Sequence, residues 1–245
     1  MPAIKKKRLD ILVLEKGLAK SRQKSRSLIM AGCILVDDHP VDKPGAMVAE
    51  TAIIVNRGTD LPFVSRGGLK LEQAISSLDL DVTGYVCLDV GASTGGFTDC
   101  LLQHGASRVY AIDVGYGQLD WKLRQDPRVI VIERTNIRYV TEELLPEPFD
   151  LISIDVSFIS LKIVVPVVKK FLKQNGKMLA LIKPQFEVGK GQVGKGGVVK
   201  DPALHESVIT ELSAFFSDLG FMVGPVVPSP VLGAKGNKEF IMYLY

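Results

Sequence analysis

The chain has 245 residues, 47% hydrophobic and 23% charged, the composition of an ordinary soluble globular protein with room for a core. No apolar run approaches the ~18 residues of a membrane span. The basic start is not followed by a signal-peptide core, and Cys33, Cys87 and Cys100 include no Cys-x-x-Cys pair. A cytoplasmic protein without a disulfide framework or a metal site is expected.

The net charge of +3 hides an asymmetry. Residues 1–26 hold nine Lys and Arg against two acids, a local balance of +7, whereas residues 61–245 carry −1. A basic head on a near-neutral body is a footprint of nucleic-acid binding. Residues 1–60 read as a small domain. Leu9, Leu12, Val13, Leu14 and Leu18 have helical spacing, with Asp10 and Glu15 facing out. Ser21 caps a second helix, whose apolar face is Leu28, Ile29 and Met30 and which Gly32 stops. A strand at 33–36, a turn at 37–40 and short strands from Val41 and Val48 follow. Ser21, Arg22, Lys24 and Arg26 gather at the start of the second helix, where its own positive end adds to theirs. Residues 61–64 read as a connector, and a helix opens at Ser65-Arg66 and runs through Ile75 and Leu78.

From Gly84 onward strand and helix alternate. Strands are expected at 85–90, 108–113, 129–133, 149–155, 177–183, 221–227 and 238–245. Helices are expected at 98–104, 118–125, 140–145, 161–174 and 202–219. That alternation implies an α/β domain at 65–245 built on a mostly parallel sheet with helices on both faces. The first strand runs into Gly91-Ala92-Ser93-Thr94-Gly95-Gly96-Phe97, a glycine turn that opens a helix. Its spacing matches neither Gly-x-Gly-x-x-Gly nor a phosphate loop. About twenty residues on, Asp113 ends the second strand, placed to take both hydroxyls of a ribose. A glycine turn and a ribose acid without a phosphate lysine suit S-adenosylmethionine. Gly91, Ser93, Gly95, Gly96 and Phe97 are expected around its methionine part, Asp113 at its ribose and Asn136 at its adenine edge. The stretch 184–201 is too glycine-rich for a stable element and reads as a mobile positive loop carrying Lys190 and Lys195.

Ligands of an open parallel sheet sit beyond the carboxyl ends of its strands. Asp155 and Lys183 end two strands, Glu239 opens an antiparallel last one, and Lys70 lies on the helix before the first. The topology thus gathers all four at one rim.

These residues carry a resemblance. Arg8-Leu9-Asp10, Ser21-Arg22, Leu28-Ile29-x-x-Gly32 and Val41-x-Lys43-Pro44-Gly45 resemble the ribosomal-protein-S-four-type RNA-binding domain. Lys70, Asp155, Lys183 and Glu239 match the Lys-Asp-Lys-Glu set of FtsJ-type ribose 2′-O-methyltransferases, and the whole chain resembles the haemolysin-A-type (TlyA) proteins, which join the two domains. The sharpest stretches are Val64-Ser65-Arg66-Gly67-Gly68-x-Lys70-Leu71, residues 88–98, Asp155-Val156-Ser157-Phe158 and residues 181–187. The resemblance implies a Rossmann-like class I methyltransferase that modifies ribose hydroxyls of ribosomal RNA. RNA contacts would come from Arg8, Ser21, Arg22, Lys24, Arg26, Arg66, Lys190 and Lys195. Lys183 is expected to be the base, Asp155 and Glu239 to orient the two lysines, and Lys70 to steady charge on the attacking oxygen. Two other classes compete: a cytolysin, which needs an amphipathic or membrane-length segment, and a ribosome-associated RNA-binding protein without transferase activity.

Overall fold

A computed structural model describes residues 5–37, 39–56, 62–189, 191–194 and 196–245. The chain divides into two compact units, Met1–Arg66 and Gly67–Tyr245. In the first, β1 (Lys6–Arg8) runs into α1 (Leu9–Glu15), followed by α2 (Arg22–Met30), β2 (Ile34–Val36), β3 (His39–Pro40), β4 (Met47–Ala49) and β5 (Ile54–Asn56). Strand β1 pairs with β4, and β2 lies between β3 and β5. Leu9, Val13, Ile29, Ile34 and Val36 meet as its core. Ser21 caps α2 as expected, accepting the Lys24 amide at 3.1 Å.

Three expectations for this unit need correction. The first helix ends at Glu15 rather than reaching Leu18, because Gly17 turns the chain at φ 70°. The presumed turn at 37–40 instead supplies strand β3; Asp38 lies outside the described residues. Asp10 does not face out but is fully buried. Arg8 clasps it through two bonds of 3.0 Å and Arg22 adds a third at 3.1 Å, so two guanidiniums compensate its charge while staying half in solvent.

The second unit begins with α3 (Gly67–Ser77), β6 (Val86–Val90), α4 (Gly96–Gln103), β7 (Arg108–Ile112), α5 (Trp121–Arg124) and β8 (Val129–Ile132). After a 3-10 turn (Ile137–Tyr139) come β9 (Phe149–Ile154), α6 (Leu161–Lys169), β10 (Leu172–Ile182), α7 (Pro184–Glu187) and α8 (Pro202–Asp218). Strand β11 (Val223–Pro228), a second 3-10 turn (Ala234–Gly236) and β12 (Phe240–Leu244) complete it. The seven strands stand in the order β11-β12-β10-β9-β6-β7-β8, all parallel except β12, which runs antiparallel to both neighbours. Their near-continuous apolar runs are what a sheet covered on both faces requires.

Helices α6 and α5 are shorter than their periodicity suggests, and the helix expected at 140–145 is absent. Leu172 breaks from α6 to pair with Phe149, so β10 starts five residues early across a bulge. Asp120 caps α5 at Lys122, leaving one turn at 121–124. Val140 is extended (φ −68°, ψ 139°) and ends the first 3-10 turn. The glycine-rich stretch is not wholly irregular: it opens with α7, closes a bridge between Gly194 and Val198, and ends at Asp201, which caps α8. Lys190 and Lys195 lie outside the described residues. No described helix is long and apolar enough to cross a membrane.

Candidate active site

The parallel strands share one rim, and the residue after each of five strands stands on it: Gly91 after β6, Asp113 after β7, Glu133 after β8, Asp155 after β9 and Lys183 after β10. Antiparallel β12 brings Glu239 to the same edge from its other end. A cleft of about 1000 Å³ opens there, bordered by Gly91, Ser93, Asp113, Gln118, Asn136 and Asp155. That is at the upper end of small-molecule sites, roomy enough for a nucleoside-sized molecule.

The glycine turn is built for close approach. A Cβ on Gly91 (φ 85°) would lie 2.4 Å from the Asp155 carbonyl oxygen, so only glycine fits between the ends of β6 and β9. Ser93 is also left-handed (φ 50°), and its amide donates to Asp113 Oδ2 at 2.8 Å, while the Gly115 amide donates to Oδ1 at 2.7 Å. The Asp113 carboxylate is thereby fixed, and each oxygen keeps a second lone pair for a diol. Gly95 (φ 92°), Gly96 and Phe97 do not line the cleft. A Cβ on Gly95 would lie 2.2 Å from Leu123, so this glycine lets the turn pack on α5; Gly96 and Phe97 are buried in the first turn of α4. Asn136 lines the cleft while its side chain caps the 3-10 turn, accepting the Arg138 amide at 3.1 Å.

Beside the cleft the four charged residues form an alternating chain. Lys183 Nζ lies 2.5 Å from Asp155 Oδ1 and donates to Ser157 Oγ at 3.0 Å. Asp155 Oδ2 lies 3.9 Å from Lys70 Nζ, which donates to Glu239 Oε2 at 2.6 Å. Lys70, Lys183 and Glu239 are buried and Asp155 is part-exposed, so the two positive and two negative groups balance with little solvent to replace them. Burial alone would raise the Asp155 carboxyl, but the charges of Lys183 and Lys70 overcome it and hold it below the usual carboxylate range. Gly233 makes room for the Glu239 carboxylate, which a Cβ there would strike.

Sequence reasoning missed four residues of this site. Ser157 orients Lys183, Gln118 lines the cleft and reaches Ser93 Oγ at 3.4 Å, and Phe158 and Phe186 meet at the cleft with ring centroids 4.9 Å apart. Phe158 is 90% exposed and left-handed (φ 63°), a costly conformation for a bulky residue. Its position three after a rim acid was the available signal. Of the basic residues expected to contact RNA, Lys24 and Arg26 are exposed on α2, Arg8 and Arg22 hold Asp10, Ser21 is a helix cap, and Arg66 is half-buried.

An FtsJ-like methyltransferase model matches residues 63–245, and an S4 domain model matches 7–54. The chain belongs to the FtsJ-like methyltransferases. It is similar over nearly its whole length to the 16S/23S rRNA (cytidine-2′-O)-methyltransferase TlyA of Mycobacterium tuberculosis, with 45% identity over 97% of this chain and 89% of that protein. Hemolysin A of Brachyspira hyodysenteriae is 40% identical over 96% of this chain and 98% of its own. A solved structure named as a hemolysin, from Streptococcus thermophilus, is 43% identical with a TM-score of 0.77, covering 99% of this chain and 89% of that one. The seven-stranded sheet is therefore that of a Rossmann-like methyltransferase, here preceded by an S4 domain.

Proposed function

We propose that this protein transfers a methyl group from S-adenosylmethionine to a ribose 2′-hydroxyl of ribosomal RNA, with cytidine as the nucleoside by likeness to the mycobacterial relative. The observation that carries the reading is the chain Lys183, Asp155, Lys70, Glu239 beside a cleft bordered by a glycine turn and a fixed acid. The residues suit S-adenosylmethionine. Gly91 leaves its backbone bare where a Cβ would fill the space, and Asp113 has lone pairs to spare for a ribose diol. When bound, that molecule supplies an electrophilic methyl on a positively charged sulfur.

This chain's own residues do the rest. Lys183, as the free amine, takes the 2′-hydroxyl proton while the oxygen attacks. Asp155 holds the ammonium so formed, and Ser157 fixes its direction. Lys70, anchored by Glu239, faces the charge developing on the attacking oxygen. Phe158 offers a ring on which an unstacked base of the acceptor can lie. Lys24 and Arg26, with Arg8 and Arg22 oriented by Asp10, form the phosphate-gripping face of the domain at 1–60, joined by 61–64 to the catalytic domain at 65–245. Arg66, Lys190 and Lys195 are proposed to extend that grip.

Ribosomal RNA incubated with the protein and labelled S-adenosylmethionine, then mapped by mass for 2′-O-methylation, tests the reading. Label in ribose supports it; label confined to a base, or none from an enzyme that binds the donor, overturns it.

A further inference from the structure

Away from the cleft, α3 and α4 converge three side chains of the types that hold metal ions. Glu72 comes from α3; Cys100 comes from α4 and His104 caps that helix's C-terminus, four residues on and so on the same side. His104 Nε2 lies 3.2 Å from Glu72 Oε2, and Cys100 Sγ lies 3.8 Å from that same oxygen. One ligand atom of each residue falls within 4.8 Å of the other two.

The orientation of the imidazole is fixed by its other nitrogen. His104 Nδ1 lies 2.9 Å from the Cys100 carbonyl oxygen, a group that only accepts, so Nδ1 carries the hydrogen. Nε2 of the neutral ring is then a bare lone pair aimed at a carboxylate oxygen, which is also an acceptor. Two acceptors at this distance need something positive between them. A proton shared by the imidazole and the carboxylate, with the thiol donating weakly to the same oxygen, would hold the three together without a metal; a cation in their midst would engage all three donors at once.

We propose that Glu72, Cys100 and His104 bind a thiophilic divalent cation of the zinc class, with water in the fourth position. Around tetrahedral zinc, with bonds of about 2.3 Å to sulfur and about 2.0–2.1 Å to nitrogen and oxygen, neighbouring ligand atoms stand about 3.3–3.6 Å apart. The 3.2 and 3.8 Å separations bracket that spacing. An imidazole whose second nitrogen is held by a backbone carbonyl is the usual outer support of a ligating histidine. One sulfur, one nitrogen and one oxygen donor favour zinc-class ions over magnesium or calcium. The side chains of Glu72 and His104 are 38% and 28% exposed, leaving an entry route, whereas Cys100 is buried. The ion would clamp α3, which carries Lys70, to α4, which follows the glycine turn. This inference does not depend on the proposed reaction.

The test is a cobalt titration of the full chain after chelator treatment. Expected are the visible bands of tetrahedral cobalt at one equivalent, a near-ultraviolet thiolate-to-cobalt band, and loss of both on adding zinc. His104→Ala and Glu72→Gln lie at part-exposed positions; each is expected to weaken zinc binding at least about tenfold. Cys100→Ser is expected to abolish the thiolate band; because Cys100 is buried, His104→Ala decides the matter if that variant does not fold. Octahedral cobalt without the thiolate band, or unchanged zinc affinity in folded His104→Ala, overturns the site.

Discussion

The sheet holds two aspartates, in β6 and at the end of the neighbouring β9, in opposite states. Asp155 stands on the rim against Lys183 and Lys70, which keep its carboxyl below the usual range. Asp89 lies in β6 directly across from Ser153, two residues before Asp155, and is fully buried. Its partners are neutral, Thr98 Oγ1 donating to Oδ2 at 2.7 Å, Ser153 Oγ to Oδ1 at 3.3 Å, and the Thr98 amide beside them. Burial pushes it up to about 7, and the charge of Asp155 adds to that, against the pull of the hydroxyls. The first unit supplies a control: Asp10 is as buried as Asp89, yet the hydrogen bonds from Arg8, aided by Arg22, hold it low. At equal burial, an acid's state is thus set by whether a full positive charge reaches it.

The largest expected effect comes from removing the charge nearest Asp155. Lys183→Ala should lower methyl transfer by about 10²–10⁴-fold, the range for a lost general base, with donor affinity nearly unchanged. Labelled-methyl incorporation and calorimetry check this; lost affinity with retained turnover would refute the assignment. Next, Arg8→Ala combined with Arg22→Ala puts Asp10 in the position of Asp89, a buried acid without a cation. Denaturant unfolding should show a loss of stability at neutral pH that shrinks at low pH, where Asp10 is protonated.

Asp89→Asn addresses the other side of the comparison. A carboxyl raised in the folded state keeps its proton where the unfolded chain has lost it, so stability falls as pH rises from about 4 to about 7. The Asn variant should lack that fall and so be more stable than wild type at pH 8, read from melting curves across pH. Asp155 has the opposite sign: the stability it lends is present above the ordinary carboxylate range and lost as pH drops through its lowered value. Asp155→Asn should therefore flatten the acid limb alone. The smallest change is Thr98→Val, which removes one hydroxyl from Asp89 at a cost of about 1 kcal/mol and should move the Asp89 titration further up. A downward shift would mean that the hydroxyl stabilises the protonated acid instead.

Much of the site was legible because rim residues follow from local pattern. Gly91, Asp113, Asp155 and Lys183 each come directly after an apolar strand, and a parallel strand delivers its next residue to the ligand edge whatever the rest of the chain does. The fates of Gly95 and Asp10 were not legible. Gly95 belongs to packing on Leu123, and Asp10 to partners two and twelve residues away whose long side chains fold over it. The helix expected at 140–145 failed because periodicity records which residues are apolar, not whether a strand or a turn claims them first.

By itself the amino-acid order determined the two-part layout, the mostly parallel sheet and the glycine turn, since periodicity and turn chemistry act over a few residues. Only the tertiary structure decided the partners. Lys70 meets Glu239 across 169 positions, and Glu72 meets His104 between two helices. Both meetings depend on where distant segments cross, a geometry that no stretch of chain encodes locally.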